Sequence, residues 1–200
     1  VNKTVYEGLR RDDPERRAMI FTRSGFSGIQ KYGAVLWSGD VGNDWQTLRY
    51  QISAGLNFMA SGLPWWTYDA GGFFRPRDQY SNPEYIERLI RWVQTGTFLP
   101  LMRIHGYMSD TEPWNYGPEA QKIITDYINI RYKLMPYIYS EAAQVTLNGS
   151  TFMRPFVFDF PYDEEALKQN TSYMFGPSLM VSPVVESGVT ECKVYLPKND

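Results

Sequence analysis

The chain has 200 residues, 43% of them hydrophobic and 21% charged, with a net charge of −2. That balance fits one sizeable globular core and gives no basic footprint for nucleic acid. A single cysteine, Cys192, and a single histidine, His105, exclude an internal disulfide, a cysteine-built metal site and a two-histidine zinc motif, and no apolar run is long enough to span a membrane as a helix.

The aromatic content is high: 6 Trp, 15 Tyr and 11 Phe make 16% of the chain. Rings fill cores, and they also stack on the apolar faces of sugars and bases. Val1-Asn2-Lys3 is no initiator, and no signal segment follows. The sequence therefore reads as an excerpt or a processed chain, with any localisation signal outside it.

In chain order, residues 18–22 (Ala-Met-Ile-Phe-Thr) predict a first strand and residues 34–37 a second. Trp45, Leu48, Ile52 and Leu56 have helical spacing. Residues 58–68 read as a third strand with a long exit loop. Ser81-Asn82 followed by Pro83 marks a helix start. That helix carries Ile86, Leu89, Ile90 and Val93 inward and ends near Gly96. Residues 98–102 read as a fourth strand. Pro118 opens a long helix with Ile123, Ile124, Tyr127, Ile128, Ile130, Leu134 and Ile138 as its buried stripe. Pro136 should kink it, and Asn148-Gly149 should stop it. Short continuous apolar strands alternating with helices predict an α/β fold with a parallel sheet buried on both faces. Beyond residue 150 the texture changes: 152–160, 178–185 and 191–196 read as strands without helices between them. A boundary is expected near 150–165.

Polar residues cluster after each predicted strand. Arg23-Ser24 follows the first, Trp37-Ser38-Gly39-Asp40 the second, Asp69-Ala70-Gly71-Gly72-Phe73 the third and Arg103-Ile104-His105-Gly106 the fourth. In a parallel α/β barrel all four clusters share the C-terminal face, where catalysis sits. Each has an ordinary structural reading. Asp40 could cap the helix near Trp45, Asp69 could make a turn, and the arginines could hold strand ends in ion pairs. Trp37, Trp65 and Trp66, taken singly, suit a core. Together, the two carboxylates, two arginines, one histidine and several tryptophans are the equipment of a sugar site. Carboxylates donate protons or accept hydroxyls, arginine and histidine bind hydroxyls, and rings stack on the sugar.

The segment from Phe21 to Phe74, with Arg-Ser, Trp-Ser-Gly-Asp and Asp-Ala-Gly-Gly-Phe in that order, resembles the family 31 glycoside hydrolases, and Arg-Ile-His-Gly at 103–106 continues the likeness. It extends through 152-FMRPFVFDFP-161 and 174-MFGPSLMVSPV-184, and is nearest the bacterial α-xylosidase and α-glucosidase branch. The resemblance implies a (β/α)8 TIM barrel. Residues 1–160 would be its second half, strands five to eight, and residues 161–200 would begin a C-terminal β-sandwich domain. It implies a retaining α-glycosidase that takes terminal non-reducing α-linked xylose or glucose from an oligosaccharide substrate. Asp40 would be the general acid/base, and Arg23, Trp37, Asp69, Phe73 and His105 would bind the sugar. Arg103 lies beside His105 with a role the resemblance does not assign. No cofactor, metal, nucleic acid or membrane segment is expected; a periplasmic or secreted setting fits the resemblance.

Two departures stand out. The spacing from Arg23 to Asp40 is slightly longer than the family pattern. No segment matches the motif that carries the nucleophile, which should lie before Val1. The 200 residues alone are then expected to be inactive, as a carbohydrate-binding or structural piece. Half a barrel also leaves strand edges open, so standing alone it should form a homo-oligomer or distort.

Overall fold

The computed structural model describes residues 1–198. Its first layer is a parallel sheet of β1 (Ile20–Thr22), β2 (Ala34–Trp37) and β3 (Trp66–Thr67), in that order. Phe21 pairs with Val35, and Trp37 with Thr67. Period-two alternation therefore puts Phe21, Val35, Trp37 and Thr67 on one face and Ile20, Leu36 and Trp66 on the other. The second face packs on helices. The first carries the strand-end side chains described below.

Helix α1 (Asn2–Asp12), which the sequence reading did not anticipate, lies against β1. Helix α2 (Trp45–Ala60) starts where Asp44 accepts bonds from the Thr47 amide at 2.8 Å and the Thr47 hydroxyl at 2.7 Å. Asp44 is the cap, so Asp40 is not. Burial pushes the Asp44 carboxyl up, but the Thr47 bonds outweigh it and hold the carboxyl below its usual range. Helix α3 (Pro83–Gly96) begins at the expected Asn82, which accepts from the Glu84 and Tyr85 amides. Its buried face is Tyr85, Leu89, Trp92 and Val93.

The predicted third strand is corrected. Residues 58–60 finish α2, and only Trp66–Thr67 pair as β3. Phe58 stacks on Trp66 at 4.7 Å. A Cβ added at Gly55 would sit 2.8 Å from the Trp66 indole. Gly55→Ala should therefore destabilise the protein by about 1–3 kcal/mol, despite the roughly 1 kcal/mol that alanine normally gains over glycine in a helix. Urea unfolding of the whole protein checks this; a stabilised variant would contradict it.

The predicted fourth strand is also corrected. The third and fourth segments are joined by an isolated parallel bridge, Ala70 to Ile104, and by a long Leu101 amide to Trp66 carbonyl bond at 3.5 Å, not by a continuous ladder. Residues 98–102 form no strand. Pro100 has no N–H to give a ladder. Arg131, on the next helix, takes the carbonyls of Thr97 at 2.8 Å, Leu99 at 2.5 Å and Pro100 at 2.8 Å. Its desolvation lowers the guanidinium pKa to about 10.

The long helix is two: α4 (Pro118–Lys133) and α5 (Met135–Asn148). The break falls at Leu134, two residues before Pro136, whose ring would meet the Tyr132 carbonyl. Gly149 ends α5 with φ +66°. Ile130 of the predicted stripe is exposed, whereas Ile124 and Ile138 are buried.

A second, antiparallel sheet follows, made of β4 (Met153–Pro155), β5 (Tyr173–Phe175) and β6 (Leu179–Val181). The strand expected over 152–160 stops at Pro155 and gives way to α6 (Phe156–Asp159). Residues 191–196 are not a strand. They are tethered instead by Asp163, which accepts the Tyr195 hydroxyl at 2.9 Å and the Lys198 amide at 2.8 Å. Phe152, Met153 and Phe175 join Leu48, Ile52 and Trp92 in one core cluster. The sheet straddles residue 160, because β4 lies before it and β5 and β6 after it. No helix among the described residues is long and apolar enough to cross a membrane.

Candidate active site

Parallel strands align their C-terminal ends, so the four polar clusters meet at one end of the sheet. Trp37, at the last position of β2, is the centre. Phe21 stacks on it with centroids 5.3 Å apart. The Arg23 guanidinium lies 4.9 Å from the Trp37 ring centre, and that of Arg103 5.5 Å from it. Arg103 also sits 4.8 Å over Phe21. Two cations thus share one aromatic floor.

Each cation holds a carboxylate. Arg23 Nη2 lies 2.5 Å from Asp40 Oδ1. The Asp40 side chain is 38% exposed, so it can reach a ligand. Arg103 Nη1 lies 2.6 Å from Asp69 Oδ1, and the Asp69 side chain is 0% exposed. At Asp69 burial pushes the carboxyl up. Arg103, then His105 and the Trp37 indole pull it down, and Asp40 adds to the upward push. The net is a raised pKa, which places all five groups in one electrostatic neighbourhood.

The remaining wall is aromatic. Phe73 lies 5.7 Å from the His105 ring and 5.6 Å from Tyr107. The loops interlock through the backbone. The Val41 carbonyl accepts from the Phe73 amide at 3.0 Å and the Phe74 amide at 3.1 Å. Gly72, at φ +80°, lies against this loop: an added Cβ would come 2.5 Å from the Gly42 carbonyl oxygen. Gly39, at φ +84°, leaves room for the Arg23 guanidinium, 3.2 Å from where a Cβ would be.

Several buried polar atoms here have no aligned hydrogen-bond partner: Trp37 Nε1, Ser38 Oγ, both Asp69 oxygens and Arg103 Nη1. The Asp69–Arg103 contact is ionic, close but not aligned as a hydrogen bond. Buried polar atoms are ordinarily satisfied, so these orphans leave bonding capacity for water or a polar ligand to fill; orphans also occur within the packing, at Trp66 Nε1 and Trp92 Nε1. All the sequence-derived candidates are therefore gathered: Arg23, Trp37, Asp40, Asp69, Phe73 and His105, with Arg103 among them. Sequence reasoning missed Phe21 as part of the floor, Tyr107 as part of the wall, and Arg75, whose bonds to backbone carbonyls leave no mark in a motif. Trp65 and Trp66 belong to the packing, Trp65 against Phe152 at 5.1 Å and Trp66 against Phe58.

Parallel strands whose C-terminal ends carry an accessible acid, paired cations and aromatic planes are the arrangement that α/β barrel enzymes use at their active face. Comparison with known proteins makes that more particular. The description "Glycosyl hydrolases family 31 TIM-barrel domain" matches residues 1–141, and "Glycosyl hydrolase family 31 C-terminal domain" matches residues 149–200. The chain belongs to glycoside hydrolase family 31. It is 48% identical to an α-xylosidase of Saccharolobus solfataricus, over 99% of this chain and 27% of that protein. It is 40% identical to α-xylosidase A of Aspergillus niger, over 98% of this chain and 30% of that protein. A solved family 31 α-xylosidase from a soil metagenome, complexed with xylose, superposes with a TM-score of 0.93 at 35% identity, over 99% of this chain and 32% of that one. Other relatives are α-glucosidases. These homologues are O-glycosyl hydrolases. The chain spans less than a third of the α-xylosidases it matches.

Proposed function

We propose that the protein containing this chain is a retaining α-glycosidase that removes terminal non-reducing α-linked xylose or glucose from oligosaccharides. The observation that carries this reading is the group of orphaned polar atoms around Trp37, beside the accessible Asp40, in a family 31 chain. Sugar hydroxyls, like water, are both donors and acceptors, which suits such a mixed set of orphans.

Asp40 gives its proton to the departing glycosidic oxygen, then as carboxylate takes a proton from the attacking water. Arg23 and His105 hold sugar hydroxyls, Asp69 accepts from them, and Trp37 and Phe73 bound the ring. A retaining site needs a second carboxyl about 5–5.5 Å from the first. Asp69 does not suit that task, because its side chain is out of solvent and engaged by Arg103. The nucleophile is assigned to a part of the protein outside these residues, and β1, β2, β3 and the segment at Ile104 to barrel strands five to eight. The passage from parallel to antiparallel pairing after α5 supports a division into a barrel half and a β domain, but between α5 and β4 and not at residue 160, which the second sheet straddles.

Xylose is the first sugar to assay, given the α-xylosidases among its relatives. The whole protein should hydrolyse an aryl α-xyloside or α-glucoside, and proton NMR should show the α-anomer as the first product. A β-anomer would overturn the retaining mechanism. Inertness towards both sugars would overturn the function.

A further inference from the structure

We propose that Arg75 is a positioning residue for this site: its guanidinium fixes the loop carrying Asp69 and Phe73 against the loop carrying His105. The rate readout rests on the glycosidase reading; the structural readout does not.

Arg75 is half-buried and uses its whole fork. Nε donates to the Gly72 carbonyl at 3.2 Å. Nη2 donates to the Ala70 carbonyl at 2.8 Å and to the His105 carbonyl at 3.0 Å. Nη1 donates to the Tyr116 hydroxyl at 2.6 Å. Four bonds thus tie three separate stretches: the turn after β3, the Arg103–Gly106 cluster, and the short helical turn before α4.

The backbone is shaped to admit this cation. A Cβ at Gly106 would clash with Arg75 Nε, and one at Gly71 would come 3.0 Å from Nη2. Gly106 leaves out the atom that would collide with the cation, whereas at Gly71 the nearer neighbour is Leu89 Cδ1 at 2.6 Å. No carboxylate among the described residues is in ion-pair contact with Arg75. Its partners are carbonyls and a phenol, so its work is geometric. Residues 69–73 and 103–107 are not joined by a regular ladder. Besides Arg75, the backbone links are the Ala70 amide to the Arg103 carbonyl at 3.2 Å and the Tyr107 amide to the Phe73 carbonyl at 2.7 Å. The Asp69–Arg103 ion pair and the packing of Phe73 on His105 and Tyr107 also cross between the loops, but the fork belongs to the one side chain among the described residues that grips the backbone on both sides, at Ala70, Gly72 and His105. Only a planar guanidinium presents donors in this pattern; a lysine has one centre and cannot span both loops.

The test compares wild type, R75K and R75M in the whole protein. Three quantities are read: thermal midpoint, kcat and KM on an aryl α-glycoside, and amide hydrogen exchange over residues 69–75 and 103–107. R75K keeps the charge but loses most of the fork's bonds, so its melting point should fall while the protein still folds. Its kcat should still fall about 100-fold, as expected when a positioned group is displaced by an ångström. KM should change much less, and exchange should rise in the two loops but not in α2. R75M should lose as much rate, and if it does not fold R75K decides alone. A merely structural role lowers the melting point and leaves the rate per folded molecule unchanged; that result in R75K overturns the proposal. So does unaltered exchange. If the wild type hydrolyses no α-glycoside, the glycosidase reading falls, and the exchange data alone then support or overturn the fork's role.

Discussion

Asp40→Asn in the whole protein should abolish turnover of natural oligosaccharides while sparing the first step on substrates with a strongly acidic leaving group. The amide keeps the size of the side chain but neither donates a proton as an acid nor accepts one as a base. A sugar leaving group needs that proton, so loss of about 10²–10⁴-fold is expected. A nitrophenolate leaves without it, and the glycosyl-enzyme then accumulates because water is no longer deprotonated. A burst of nitrophenolate followed by a slow phase is the expected trace. Azide, which attacks without losing a proton, should restore the slow phase. The substitution is safe for folding: the Asp40 side chain is 38% exposed and that of Arg23 53%, and exposed pairs contribute only roughly 0–1 kcal/mol. Equal loss on both substrate types would refute the acid role.

Arg103→Met should be the most damaging single change to stability at the site. Asp69 is out of solvent, and its ion-pair partner among the described residues is Arg103 at 2.6 Å. Removing one partner of a buried pair leaves an uncompensated charge, a loss of about 3–5 kcal/mol. The sign of the pH dependence follows. The Asp69 carboxyl is already raised above 3.8 by burial, with Arg103 the largest force holding it down. Without Arg103 it rises further in the folded protein, while the unfolded value stays put. The penalty relative to wild type therefore grows as pH climbs through the wild-type folded value, itself above 3.8, and fades as pH falls below it. Thermal midpoints at pH 4.5 and pH 7 measure this. The deficit of R103M relative to wild type should be larger at pH 7, and a deficit that grows on acidification would contradict the assignment. The same change should also cut activity, because the Trp37 floor loses one of its two cations.

The parts of the fold that were legible have local causes. Residues 34–37 are a short apolar run ended by Ser38-Gly39, and α3 starts at Asn82-Pro83 because a cap and a fixed φ act there alone. The misread parts depend on distant partners. The apolar Phe58 and Met59 could extend a helix or open a strand, and the stacking of Phe58 on Trp66 favours the helix. Residues 98–102 look like a strand until Arg131, thirty residues on, claims their carbonyls. The site divides the same way. Asp40, Asp69, Arg23 and Arg103 were visible because charged side chains after apolar runs carry their own chemistry. Arg75 was invisible because it serves carbonyls, which every residue has.

The Val41 carbonyl, shared by the Phe73 and Phe74 amides, joins the loop that carries Asp40 to the loop that carries Phe73. Gly72 permits the two backbones to meet without a side chain between them. The two bonds at Val41 hold the Asp40 loop and the Phe73 loop side by side. Under the proposed function, a sugar seated against Phe73 would meet Asp40 at a spacing that these bonds help to set, so recognition and proton delivery would share a single ruler.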